Sequence, residues 1–177
     1  MFISQAIQEL TAVNHIGIYR VFIRDYEKLC DLAPDFAKEI CTRRKLHLAL
    51  DWKLIYVGEA KGNGGLLTRF RQEFRQEGRG TFFRSIGAVL GETPRAAQNE
   101  GEIRNYVFEG EAKERIINFI EETMGVQYES LDDAPIIITD EPEIRMKKPI
   151  LNIKHNPLPS QFVNSRRDRC RQIAAVR

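Results

Sequence analysis

The sequence predicts a compact domain of the α+β or α/β class, and three observations carry that prediction. Its 177 residues are 42% hydrophobic and 29% charged, a balance that lets a chain bury its own core without disulfide or metal staples. Segments of strand character alternate with segments of helical period, and no repeat, low-complexity tract or linker interrupts them. Centrally, the run Leu54-Ile55-Tyr56-Val57-Gly58-Glu59-Ala60-Lys61 passes through Gly62, Gly64 and Gly65 into a basic helix over about 66–76 that presents Arg69, Arg71 and Arg75. A tyrosine at the end of a strand, facing cations, suits an anionic phosphodiester.

In chain order, Ile3, Ala6, Ile7 and Leu10 have the spacing of a short amphipathic helix. Residues 17–23 read as a strand, with Ile18, Val21, Phe22 and Ile23 supplying β-branched or aromatic bulk. Residues 25–45 are helical in period, with a break at Pro34, and 47–57 return as a second strand. Two strands that could have formed a tight hairpin thus carry a helical insertion, about 25–52, expected at the surface, where it costs little free energy. The helix over 66–76 buries Leu66, Leu67, Phe70 and Phe74. Gly78-Arg79-Gly80 ends it, and Thr81 is the expected N-cap of a helix over 82–90 that stops at Gly91. Residues 105–109 read as a strand, 112–124 as a helix, and 126–129 and 134–139 as strands, the last so apolar that a central place is expected. Asp140 and Glu143 have capping-box spacing for a short helix that tolerates Pro142 in its first turn. Residues 164–177 form a basic amphipathic tail suited to packing on the domain or lying on DNA.

Several classes are excluded or left without support. No apolar run approaches the length of a membrane span, and Met1-Phe2-Ile3-Ser4-Gln5 shows no secretory pattern, so no membrane partner is expected and a cytoplasmic location is the default. Cys30, Cys41 and Cys170, without a Cys-x-x-Cys pair and with only three histidines, read as reduced structural thiols. A net charge of +2 does not by itself argue for nucleic acid. Its distribution says more, since 69–84 holds five arginines against two glutamates, and 166–177 holds five against Asp168.

Gly17-Ile18-Tyr19, Tyr56-Val57-Gly58, Arg69 on the following helix and Pro149-Ile150-Leu151-Asn152 resemble, in order, the landmarks of the GIY-YIG nuclease superfamily. The likeness extends over roughly 16–157, and 80–87 with 152–157 further resemble a bacterial branch. It implies a single domain over 1–177 with a small central antiparallel β-sheet flanked by helices, hence α+β, the tail being 158–177. It also implies a metal-dependent DNA endonuclease. By that resemblance Tyr19 or Tyr56 relays the attacking water's proton once nearby cations lower its pKa, Arg69 holds the scissile phosphate, a carboxylate binds Mg²⁺ or Mn²⁺, and Asn152 supports the site. Lys61, Arg71, Arg84, Lys154 and His155 are the expected DNA contacts, mostly to phosphates.

The sequence departs from the family pattern at the carboxylate. The place of the family's glutamate falls, without gaps, on Asp140, and a one-residue slip makes it Glu141. Aspartate ligates Mg²⁺ as glutamate does, with a side chain one methylene shorter. Asp140 also reads as a simple helix cap, and Glu143 as capping or surface charge. Glu59 stands where relatives often carry a basic residue, with Lys61 two positions on. Glu73, one turn after Arg69 and often His in relatives, reads as a water or metal contact or as a surface ion-pair partner. The expected function is a divalent-metal endonuclease. The alternatives are a DNA-binding module whose metal site has decayed and a protein-interaction domain using the insertion. High sequence specificity would require a homodimer or a use of that insertion.

Overall fold

The computed structural model describes residues 1–11, 15–45, 53–61, 64–131 and 139–176. Among them the sheet is antiparallel and three-stranded, in the order β2-β1-β3, with β1 (Gly17–Ile23) between β2 (Leu54–Ala60) and β3 (Met124–Ser130). This is the small α+β sheet that the resemblance implied. Strict alternation along β1 sends Gly17, Tyr19, Val21 and Ile23 to the buried face. There they meet Phe70 and Phe74 of α4 (Gly65–Arg75), Phe82, Phe83 and Ile86 of α5 (Thr81–Leu90), Ile116 and Ile120 of α7 (Gly110–Thr123), and Ile3 and Leu10 of α1 (Ile3–Leu10) in one continuous core. Ile18 and Phe22 point the other way, onto a smaller cluster of Leu54, Val57 and Ile144, the last from α8 (Glu141–Lys147).

The helical insertion is α2 (Tyr26–Leu32), capped by the Asp25 carboxylate on the Lys28 amide at 2.9 Å, and α3 (Pro34–Lys45). It is more than the expected surface addition. Leu29, Phe36, Ala37 and Ile40 join the main core, and α3 is tied to the C-terminal segment by Arg43 Nη2 to the Leu158 carbonyl at 2.7 Å and by Ser160 Oγ to Glu39 Oε1 at 2.9 Å. The basic tail forms α9 (Gln161–Ala175), which buries Val163, Cys170 and Ala174 in the same core and packs along α5.

Three local expectations are corrected. Residues 105–109 form no strand: Tyr106 and Phe108 are buried alternately as in a strand, but the Phe108 backbone is satisfied in both directions by the Gln76 side chain, at 2.9 and 2.7 Å. A short helix, α6 (Glu100–Arg104), precedes them, capped by Asn99. Thr81 is the first residue of α5 rather than its cap; Gly80 holds the cap position. The Asp140–Glu143 capping box does not form, because Asp140 makes no side-chain cap bond and the Glu143 carboxylate is gripped by Arg20 at 2.7 and 2.8 Å. The expected strand over 134–139 and the start of the strand over 47–57 lie outside the described residues, save Thr139 and the part of the latter from Lys53 onward. Among the described residues no helix is long and apolar enough to cross a membrane, and all three cysteines are free thiols.

Candidate active site

Strand register brings the two motif tyrosines together. Tyr19 pairs with Gly58 and Val21 with Tyr56, so the two tyrosines are diagonal neighbours on the helix-covered face, their ring centroids 6.1 Å apart. The glycines of both tripeptides exist for clearance. A Cβ at Gly58 would stand 2.4 Å from Cζ and the hydroxyl oxygen of Tyr19, and one at Gly17 would stand 2.2 Å from the Glu129 carbonyl oxygen. Tyr19 therefore lies flat across β2, edge-on to Phe70 and Phe74 at centroid distances of 5.2 and 6.3 Å.

Both hydroxyls converge on Glu73. Tyr19 and Tyr56 each direct an O–H to Glu73 Oε1 at 3.5 Å, Arg69 Nη2 stands 2.5 Å from the same oxygen, and the Phe82 amide donates to Oε2 at 2.6 Å. A carboxylate with 0% exposure thus caps α5 and gathers the tyrosine pair and the arginine. Glu73 is neither the exposed ion-pair partner nor the cleft contact that its place one turn after Arg69 suggests: it is fully buried and does not line the cleft. One signal could have found it: Glu73 sits seven residues after Leu66 and three after Phe70, squarely on the apolar stripe of α4.

Burial raises the pKa of the Glu73 carboxyl against the pull of Arg69 and the Phe82 amide. Burial, with Glu73 beside them, also raises both tyrosines well above the ordinary phenol value; Arg69 pulls the other way and is outweighed. The expectation that nearby cations would lower a tyrosine pKa is therefore reversed. The two phenols stay neutral, so they can pass a proton but not wait as phenolates. Arg69, although burial favours its neutral form, is held charged by the Glu73 carboxylate beside it.

The nest opens on a cleft of about 670 Å³. Tyr56, Arg69, Asp140 and Asn152 line it, with Glu59, Lys61, Lys154 and His155 at its edges and Asn164, Arg167 and Arg171 of α9 on the far wall. Tyr19 is fully buried behind Tyr56 and does not reach the cleft.

The two carboxylate candidates are separated clearly. Asp140 faces the cleft, half-buried, and has no ion-pair partner among the described residues; burial and then the neighbouring Glu59 carboxylate push its pKa up. Glu59 Oε2 accepts from the Asp140 amide at 3.2 Å and meets Lys61 Nζ at 2.9 Å. Glu141 is spent elsewhere, on Arg145 at 2.7 Å and His155 Nδ1 at 3.3 Å, with the Arg145 hydrogen bond lowering its pKa. Among the described residues no three His, Cys, Asp or Glu side chains form a metal cage. Mg²⁺, however, keeps several waters and binds through one or two carboxylates plus substrate phosphates. The Asp140–Glu59 pair, two oxygen donors whose mutual charge asks for a cation, fits that demand.

Asn152 lines the cleft and braces the strand behind it. Its Oδ1 accepts from the Val57 amide at 2.9 Å and its Nδ2 donates to the Val57 carbonyl at 2.8 Å, so its amide replaces a missing strand neighbour on the outer edge of β2. The Leu151 amide continues the strap by donating to the Ile55 carbonyl at 3.0 Å. Arg71 is not brought to the cleft; it is exposed, 4.0 Å from Glu77. Arg75 pairs with Glu121 of α7. Arg84 is buried behind Thr81 rather than displayed.

A tyrosine pair on adjacent antiparallel strands, an arginine on the helix that follows and a carboxylate facing the same cleft as Tyr56 and Arg69 define the candidate site of this α+β domain. The family model described as the GIY-YIG catalytic domain matches residues 17–172, and the chain belongs to that family. No curated protein and no solved structure matches the chain.

Proposed function

We propose that the protein is an endonuclease that hydrolyses DNA phosphodiester bonds with a divalent metal ion, Mg²⁺ or Mn²⁺. The observation that carries this reading is the convergence of Tyr56, Arg69 and Asp140 on one cleft, with Glu73 buried behind the first two.

The residues divide the work as follows. Arg69, fixed by Glu73 and by Gln72 Oε1 at 3.4 Å, faces the cleft and holds a non-bridging oxygen of the scissile phosphate. A cleft water attacks phosphorus. Its proton passes to the Tyr56 oxygen as the Tyr56 proton passes to Glu73 Oε1, and the bond from phosphorus to the sugar oxygen breaks, that oxygen leaving with the electron pair and taking a proton from solvent. The Tyr56–Glu73 distance of 3.5 Å is that of a free site, where catalytic hydrogen bonds are long and tighten on substrate binding. Tyr19 keeps the acceptor side of Glu73 dry. Asp140, with Glu59 beside it, would hold the divalent ion, which would supply positive charge to the phosphoryl and leaving oxygens. Lys61, Lys154 and His155 at the rim meet flanking phosphates.

The test is nicking of supercoiled plasmid with Mg²⁺, Mn²⁺ or EDTA by the wild type, Arg69→Ala, Tyr56→Phe and Asp140→Ala. Metal-dependent nicking lost in all three variants is the expected result. Absence of cleavage on every DNA form, with salt-sensitive binding retained, would instead make the chain a DNA-binding module on this fold.

A further inference from the structure

The seam between α5 and α9 holds positive charge without an answer. Arg84 and Arg167 are each only 7% exposed. Among the described residues neither has a carboxylate partner: Arg84 Nη2 reaches only Thr81 Oγ1 at 3.5 Å, and Arg167 Nη1 only Ser85 Oγ at 3.4 Å. The Nε of each is buried without any hydrogen-bond partner. Burial, and then the Arg167 charge, lower the pKa of Arg84, which is the signature of two cations crowded together in a dry place. The one carboxylate whose charge Arg84 feels is Glu73, and that group already receives Arg69 at 2.5 Å and the Phe82 amide at 2.6 Å.

Buried charge left unpaired is expensive, and apolar side chains of similar volume would pack at lower cost. Two guanidiniums with spare donors make sense if an anion completes them. The route for it is open. Arg167 lies in the far wall of the cleft with Thr81 beside it, and Arg171, one turn further along α9, stands at the rim paired with Asp168. Arg69 of α4 lines the same cleft, so cations from two helices, α4 and α9, face it.

We propose that Arg167 and Arg84, with Arg171 at the rim, form a second phosphate subsite, which takes a phosphate of the bound nucleic-acid strand other than the one being cleaved. The identity of that phosphate rests on the nuclease reading, but the anion site itself does not. Phosphate at this subsite neutralises the α5–α9 seam and fixes the strand at a second point, so that the scissile group is presented to Arg69 in register.

The experiment compares the full-length wild type with Arg167→Met and Arg171→Gln. Without ligand, Arg167→Met should melt ~2–4 °C higher than the wild type, because a buried repulsion has been removed. In EDTA, its affinity for a fluorescent oligonucleotide without terminal phosphates should fall about tenfold, and the slope of log K against log salt should shrink by about one contact. Inorganic phosphate, against chloride at equal ionic strength, should raise the melting temperature of the wild type and not of Arg167→Met. Arg171→Gln, at a more exposed position, gives the same reduction in salt slope should Arg167→Met fail to fold. A wild type stabilised by phosphate through Arg167 that binds no nucleic acid would keep the anion site and overturn the nuclease reading. An oligonucleotide that binds through Arg167 only when it carries a terminal phosphate would overturn the assignment to an internal phosphate. A lower melting temperature in Arg167→Met, with unchanged affinity and salt slope in both variants, would make these arginines purely structural and overturn the subsite.

Discussion

Glu73 Oε1 lies 3.5 Å from the Tyr56 hydroxyl in a pocket closed to solvent, while Tyr56 itself faces the cleft. Tyr56 and Arg69 therefore stand between a buried carboxylate and the cleft. A phenol whose pKa burial holds high is a poor resting base, but a phenol backed by a carboxylate passes a proton without ever becoming a free phenolate.

Glu73→Gln keeps the shape of the side chain and one acceptor oxygen while removing the proton sink. Plasmid nicking at saturating DNA should fall about 10²–10³-fold, the scale of a lost general base. Oligonucleotide affinity in EDTA should stay within about twofold, since Glu73 does not reach the cleft. A variant that loses affinity and activity in parallel would place Glu73 in the scaffold alone.

The same carboxyl sets opposed pH trends. Its folded-state pKa is raised above the ordinary value of 4.5, so the folded state holds a proton that the unfolded chain releases over that window. Stability from this group is fully present below that ordinary value and is lost as pH rises through the raised one. Nicking should rise over the same window, because only the carboxylate accepts the Tyr56 proton. In Glu73→Gln the difference from wild type should appear as a flatter melting-temperature profile on the acid side, read by thermal unfolding across pH.

Asp140 and Glu141 are adjacent, but only Asp140 faces the cleft, and Glu141 is held by Arg145 and His155. Asp140→Asn should weaken Mn²⁺ binding to the DNA-free protein by ~10–100-fold, and Glu59→Gln by a smaller factor, as loss of a neighbouring oxygen does. Glu141→Gln should leave it unchanged. Electron paramagnetic resonance of free Mn²⁺ during a protein titration reads this without any cleavage assay, and equal losses in Asp140→Asn and Glu141→Gln would move the ion outward.

Both side-chain hydrogen bonds of Asn152 go to the Val57 backbone, so this side chain braces β2 beside the cleft. Asn152→Ala leaves a buried amide and carbonyl unpaired at a cost of about 1–3 kcal/mol. Urea unfolding should show that loss, and nicking should fall only as far as Tyr56 is displaced. A catalytic amide would give the reverse, full stability with abolished turnover.

The legible parts of this fold were those whose pattern is local. Ile3–Leu10 and Gly17–Ile23 declare their ends through apolar spacing, and the structure reproduces both. The stretch over 105–109 misleads because Tyr106 and Phe108 alternate as strand residues do, while the partner that satisfies the Phe108 backbone, Gln76, is a side chain from a distant helix end. At the site, Tyr19, Tyr56 and Arg69 were readable because each sits in a tripeptide or at a fixed place on the next helix. Glu73 and Arg167 were not, because their roles come from burial: one charge admitted to an apolar stripe, the other closed in only when α9 docks on α5. Charge at a core position is an ambiguous sign in a sequence and becomes informative once its neighbours are known.

Gly58 tests whether the motif glycine serves clearance or flexibility. Neither its strand position nor its pairing with Tyr19 requires an unusual backbone, and its φ is not among the positive ones. What forbids a side chain is the Tyr19 ring, whose Cζ and hydroxyl oxygen would stand 2.4 Å from an added Cβ. Gly58→Ala should therefore cost about 1–3 kcal/mol, as overpacking of a filled core does. In a Tyr19→Leu background the obstruction is gone, so the same substitution should cost below ~0.5 kcal/mol, a coupling typical of residues in contact. Urea denaturation of the four proteins closes the cycle. An equal penalty in both backgrounds would assign the glycine to the backbone of β2, and the tyrosine would then owe its position to Phe70 and Phe74 alone.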